Sequence, residues 1–229
     1  MNIGYIIICR YNSSRLPGKI LKTINGMPLL KIITDRLEVL GKENIVIATS
    51  EENTDDPIAE WCNNNNIKVF RGSLNNVAQR FLQAAKWGGF EYAVRVNGDN
   101  LFADGNLIKS LAETAANENL DFLSNVPGRT FPTGMSIEVV KTSFYEKLYN
   151  DFDEEKYFEH VTLYLYEHPD EKRSSKFITN NEAPQAKGLK MAIDTIDDFK
   201  QAEKIMEALG EEYRTAGWKE IVQLKNEII

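Results

Sequence analysis

Residues 3–9 form an unbroken apolar run that stops at a polar loop. Such a run reads as a strand buried on both faces, as in parallel sheets. Pro28 then opens a helical pattern with Leu30, Ile33, Leu37 and Leu40 on one face, and Gly41 ends it. Residues 45–49 are a second apolar strand. Asp55-Asp56-Pro57 reads as an N-cap and helix start, and that helix runs to the asparagine tract at 63–66, a loop. Residues 67–70 are a third strand. Val77, Phe81 and Ala84 mark a helix that Gly88-Gly89 stops. Residues 92–96 are a fourth strand, followed at once by Asn97-Gly98-Asp99-Asn100. Four strand–helix alternations predict an α/β fold, a mostly parallel twisted sheet sandwiched by helices.

The second half is less regular. Leu107, Leu111 and Ala115 suit a helix, and residues 122–126 suit a strand. Residues 135–140 alternate and are expected to pair antiparallel. Helices are expected over 142–149 and 154–167, and a strand over 189–193. Thr195 to Asp198 matches a capping box and starts a helix. Trp218, Ile221 and Val222 suggest a last amphipathic helix. No repeat or linker divides the chain, so residues 1–229 read as one domain. The stretch 127–187 reads as an acceptor-side or dimerisation insert. Trp61, Phe81 and Trp87 are expected in the core, and His168 at a surface helix end.

Composition narrows the function. The chain has 229 residues, 42% hydrophobic and 27% charged, normal for a soluble globular protein. Its net charge of -7 argues against a nucleic-acid binder, so any polyanionic ligand must meet a local basic cluster. The cysteines, Cys9 and Cys62, stand far apart and in no metal spacing. No segment is long and apolar enough for a membrane span, and the cytoplasm is the expected compartment.

The basic cluster is Arg10-Tyr11-Asn12-Ser13-Ser14-Arg15-Leu16-Pro17-Gly18-Lys19, directly after the first strand. In open parallel sheets, ligands bind beyond the carboxyl ends of the strands. Small loop residues expose N–H groups that can cradle anion oxygens. Arg15 offers a planar fork and Lys19 a movable point charge. The Walker pattern is absent, since Ser13 and Ile20 stand where it needs Gly and Ser/Thr, and so is the dinucleotide fingerprint. The residues alone fit either an anion cradle or a solvated basic loop.

This loop resembles the signature of the sugar-acid cytidylyltransferases, which activate Kdo and sialic-acid-like sugars as CMP conjugates. The nearest branch looks like the spore-coat polysaccharide SpsF-type enzymes. The resemblance continues at Asp55-Asp56-Pro57-Ile58, Phe70-Arg71-Gly72-Ser73, Val77 to Arg80, Arg95 to Asp99, Ser124-Asn125, Glu159-His160-Val161-Thr162 and Ile193-Asp194-Thr195. It implies a Rossmann-like, GT-A-like nucleotidyltransferase that uses CTP and a sugar or sugar-acid acceptor, with a role in surface polysaccharide or glycan synthesis. A homodimer, with no nucleic-acid or membrane partner, is implied as well. Cys9, Arg10, Ser13, Ser14, Arg15, Lys19, Arg71, Ser73, Arg80 and Asn97 would bind nucleotide. Arg15, Lys19 and Asp99 would carry catalysis. Asp99 and Asp194 would hold Mg2+, a hard cation that prefers carboxylate oxygens. Arg129, Glu138, Glu159 and His160 fall on the acceptor side.

The chain departs from the family pattern at Leu101, where Pro is usual, and at Thr133 and Ser136, where relatives carry carboxylates. These departures bear on acceptor identity and, to a lesser degree, on catalysis. Two other readings stay open at this point: a nucleotide-binding homologue without transferase activity, and a GT-A-like glycosyltransferase using a nucleotide-sugar. Against the second, Asn97 stands where an Asp-x-Asp motif would need its first Asp.

Overall fold

The computed structural model describes residues 1–170 and 172–228. Strands and helices run β1 (Ile3–Ile8), β2 (Thr23–Ile24), β3 (Met27–Pro28), α1 (Leu29–Arg36), β4 (Ile45–Ser50), α2 (Asp56–Asn64), β5 (Lys68–Gly72), α3 (Val77–Trp87) and β6 (Tyr92–Asn97). They continue with α4 (Gly105–Asn117), β7 (Phe122–Ser124), β8 (Glu138–Lys141), α5 (Thr142–Tyr149), α6 (Glu155–Glu159), α7 (Leu163–Glu167), β9 (Ser175–Phe177), α8 (Ile196–Leu209) and α9 (Trp218–Ile228). The seven-stranded sheet has the order β5-β4-β1-β6-β8-β7-β9. Its first four strands are mutually parallel, β8 is antiparallel to both neighbours, and β7 is parallel to β9.

The apolar run of β1 is buried on both sides because its residues alternate between two cores. Tyr5 and Ile7 belong to the core shared with α1, α2, α4, α8 and α9, while Ile6 belongs to the core shared with α3, α5, α6 and α7. Each layer removes apolar area from water at roughly 25 cal/mol per Å², which holds the helices on the sheet. The chain moves from β1 outward through β4 to β5, then returns to place β6 on the other flank of β1. The loops after β1 and β6 therefore diverge from a topological switch point, where α/β sheets open a crevice at their carboxyl edge.

Three expectations need correction. The strand expected over 189–193 is a single bridge, Thr133 to Lys190. Its amides are spent elsewhere: Met191 and Ala192 both donate to the Thr133 carbonyl, and Ile193 to the Asp99 carbonyl. The helix expected over 154–167 breaks into α6 and α7 at residues 160–162. There Tyr145 Oη donates to the Val161 carbonyl and Thr162 Oγ1 to Glu138, contacts that a continuous helix would not offer. Trp87 is 55% exposed beside Phe70, not in the core. Trp61 is partly buried against the core and Phe81 fully buried. His168 is exposed at the end of α7 and stacks on Tyr164.

Other expectations hold. The Thr195–Asp198 capping box is formed, and the alternating segment ending at Val140 supplies β8. The stretch 127–187 contributes β8 and β9 to the sheet and α5, α6 and α7 to one face. The β2–β3 hairpin and β9 were not foreseen. Asn25-Gly26, both with positive φ, is the turn signal for the hairpin.

Candidate active site

The loop after β1 begins as an extension of the strand, with the Cys9 N–H donating to Ala48 at 3.2 Å. It then folds on the Tyr11 carbonyl, which accepts from the Ser13 and Gly18 N–H groups at 3.0 and 2.8 Å. Gly18 has φ 69° and lies under the Tyr11 ring, so a Cβ there would sit 3.1 Å from that ring. Gly18 leads into a 3-10 turn, Lys19–Leu21. Lys19 Nζ donates to the Ile193 carbonyl at 2.7 Å and lies 3.6 Å from Asp99 and 3.7 Å from Asp194. The exposed Arg15 pairs with Asp194 at 2.8 Å. The cations of the loop after β1 and both carboxylates thus meet at one rim.

Asp99 follows β6 through Gly98. The Gly98 N–H donates to Ile8 at 2.9 Å, and a Cβ at Gly98 would meet Cys9 Cβ at 2.6 Å. A small residue at position 9 and none at 98 let the two loops touch. Asp99 Oδ1 is buried and has no hydrogen-bond partner. Asp194 is held from behind, its N–H donating to Asp198 Oδ2 at 3.0 Å. Burial pushes the Asp198 carboxyl up, but bonds from Lys190, Asp194 and Thr195 outweigh it and bring its pKa down to about 2.

A cavity of about 310 Å³ lies between these loops. Cys9, Arg10, Ser13, Ser14, Arg15, Lys19, Arg80, Asn97, Asp99, Glu159, His160 and Asp194 all line it. Burial raises the Cys9 thiol well above its ordinary pKa, so it is no thiolate nucleophile. Arg80 is almost completely buried, donates to the Ser73 and Leu74 carbonyls, and keeps Nε without a partner. Arg71 and Ser73 do not line the cavity. Arg71 donates to the Ser50 and Glu52 carbonyls and pairs with Asp56, and Ser73 Oγ accepts from the Asn76 N–H at the start of α3.

A second cavity of about 790 Å³ adjoins the first. Arg129, Thr133 and Ser136 line it, whereas Leu101 is buried in the core. Its floor is a polar ladder across three strands. Arg95 of β6 faces Glu138 of β8, which faces Ser124 of β7. Arg95 Nη1 pairs with Glu138 Oε2, while Thr162 and Tyr166 hydroxyls donate to Oε1 at 2.5 and 2.6 Å. Ser124 Oγ lies 2.7 Å from Tyr166 Oη. Glu138 is therefore saturated and 3% exposed, and its neighbour Arg95 offers the cavity a charge. Arg95 was not among the site residues expected from the sequence. Its spacing of two from Asn97 on a strand puts both on one face and was the available signal.

A switch-point crevice with a basic loop after one strand, a carboxylate after its neighbour and a second carboxylate brought alongside is the architecture of a nucleotidyltransferase. Comparison with known proteins makes this specific. The cytidylyltransferase family profile matches residues 5–226, and the chain belongs to that family, enzymes of CTP-dependent nucleotidyl transfer. It is 31% identical to the spore coat polysaccharide biosynthesis protein SpsF of Bacillus subtilis, over 92% of this chain and 88% of that protein. It is 34% identical to an uncharacterized protein of Methanocaldococcus jannaschii, over 87% of this chain and 81% of that one. A cytidylyltransferase structure from Leptospira borgpetersenii superposes with a TM-score of 0.91 at 29% identity, covering 100% of this chain and 95% of that chain.

Proposed function

We propose that the chain transfers CMP from CTP to a sugar or sugar-acid acceptor in this two-part cleft, releasing pyrophosphate. One observation carries the reading: the two cavities share a wall of Arg15, Asn97, Asp99, His160 and Asp194. An enzyme that joins two substrates gains most of its rate by holding their reacting atoms side by side. The cavity under the phosphate loop takes the triphosphate, and the larger one takes the acceptor.

A divalent cation, proposed as Mg2+, fits the shared wall. The buried Oδ1 of Asp99 lacks a partner and Asp194 stands across Lys19 from it. Among the described residues no group of three His, Cys, Asp or Glu forms a closed metal cage. Two carboxylates suffice for an ion that keeps waters and takes phosphate oxygens. When bound, the ion would neutralise charge on the phosphate oxygens.

The chain's own residues do the rest. Lys19 and Arg15, which neutralise the two carboxylates in the free protein, turn their charge to the triphosphate and the departing pyrophosphate. Backbone N–H groups of the loop hold the phosphate chain in line. Arg95 and Arg129 orient the acceptor and His160, on the shared wall, closes it in, whereas Glu159 borders the triphosphate cavity alone. Glu138 serves through Arg95, since its own oxygens are engaged.

Several relatives named 3-deoxy-manno-octulosonate cytidylyltransferase support a sugar-acid acceptor; that of Alteromonas mediterranea is 29% identical over 51% of this chain and 47% of its own length. The likeness to SpsF supports a role in surface polysaccharide synthesis. No helix among the described residues is long and apolar enough to cross a membrane, which accords with the proposed cytoplasmic site. A homodimer is proposed with it, and light scattering checks that state. The functional test is pyrophosphate release from CTP with Mg2+ over a panel of sugar acids. Release with at least one acceptor supports the reading. Hydrolysis of a nucleotide-sugar with no use of CTP contradicts it.

A further inference from the structure

Asp55 stands at the N-cap position of α2, yet its side chain does not cap that helix. A capping Asp ordinarily accepts from the second or third helical N–H. Here the carboxylate is 1% exposed and accepts four bonds from elsewhere. The Thr49 hydroxyl, the Ser50 N–H and the Ser50 hydroxyl donate at 2.9, 2.9 and 2.5 Å from the end of β4. The fourth donor is the Tyr11 N–H in the loop after β1, at 2.7 Å.

The Tyr11 peptide is the knot of that loop. Its carbonyl takes the Ser13 and Gly18 N–H groups, its ring lies against Gly18, and Gly18 starts the turn that carries Lys19. A line of contacts therefore runs from Thr49 and Ser50 through Asp55 and Tyr11 to Gly18 and Lys19. Burial raises the Asp55 pKa, but the bonds from Ser50, Tyr11 and Thr49 outweigh it and hold the carboxyl below its ordinary value. The group is thus an anion beside a site built for a polyanion. Electrostatics alone opposes such a neighbour, so its contribution is geometric.

We infer that Asp55 is a positioning residue for the phosphate loop, fixing the Tyr11 peptide and through it the turn that aims Lys19 at the CTP triphosphate. The inference rests on the reading of that loop as the triphosphate site. Asp55→Asn keeps the volume but offers one acceptor oxygen in place of two, and its amide confronts a donor that the carboxylate satisfied. Thr49→Val removes one donor to the same carboxylate and leaves the Tyr11 contact intact.

The experiment titrates CTP with Mg2+, and separately inorganic pyrophosphate, into each folded variant by calorimetry. Asp55→Asn is expected to weaken both by about tenfold or more, the affinity equivalent of one hydrogen bond to a charged group. Thr49→Val is expected within about twofold of the wild type. A merely structural role would lower melting temperature in both variants and leave the affinity of the folded protein unchanged. Affinities for Asp55→Asn within about twofold of wild type, with Lys19→Ala defective, overturn the role of Asp55. Normal binding by Lys19→Ala would show instead that the loop reading itself had failed. Should Asp55→Asn not fold, amide exchange at Tyr11 in the wild-type protein reads the same contact. Slow exchange supports the strut, and exchange as fast as at the exposed Asn12 overturns it.

Discussion

Glu138→Gln separates the stability of the polar ladder from its function. Gln keeps the shape and an oxygen for the Thr162 and Tyr166 hydroxyls, but removes the charge that faces Arg95. The Glu138 side chain is 4% exposed and that of Arg95 is 22%, so the stranded guanidinium is only partly relieved by water. Removing one partner of a buried ion pair costs about 3–5 kcal/mol, and the partial exposure of Arg95 favours the lower end. At about 2–4 °C per kcal/mol for a chain of this size, the melting temperature falls by about 6–12 °C. Arg95→Met strands the opposite charge and should cost a similar amount. The double variant removes both charges, so it should cost about 1–2 kcal/mol, less than either single change. Urea unfolding of the four proteins measures the cycle. Additive losses would refute the account of a mutually compensating pair. All three variants should bind CTP normally and lose acceptor turnover, because the ladder floors the second cavity and not the first.

Two further predictions concern the carboxylates. Asp99→Asn should lower turnover by about 100-fold or more and abolish the dependence of CTP binding on Mg2+; calorimetry with and without the ion checks this. The carboxyls of Asp55 and Asp198 titrate below the ordinary 3.8, that of Asp198 at about 2. In the folded state they bind protons less readily than in the unfolded chain. Their stabilisation is therefore full above about pH 4 and lost as pH falls from there toward about 2. Urea midpoints across this acid range should fall, and Asp198→Asn should flatten the fall; an unchanged slope would contradict the assignment.

Strand and helix alternation made the first hundred residues legible, because the apolar runs of β1, β4 and β6 are buried from both sides and each helix shows one apolar face. The rim placement of Lys19 and Asp99 was legible for the same reason, since a parallel sheet puts its loops at one edge, whereas Asp194 reaches that rim from a segment that forms no strand. What escaped the sequence depends on long-range partners. The 189–193 segment has the composition of a strand, but its N–H groups go to Thr133 and Asp99. The α6–α7 break is held by Tyr145 and Glu138, far from it in sequence. Asp55 looked like a helix cap because local pattern cannot reveal a bond to Tyr11, 44 residues away. Arg71 and Ser73 follow a strand at the correct edge, yet carbonyls and α3 claim them.

In the proposed function the loop from Cys9 to Lys19 holds the triphosphate of CTP. Calorimetric titration of CTP, UTP, ATP and GTP with Mg2+, into the wild type and into Lys19→Ala, tests it most directly. The wild type should bind CTP selectively, and the substitution should weaken that binding by at least about tenfold. Equal CTP affinity in the two proteins would contradict it.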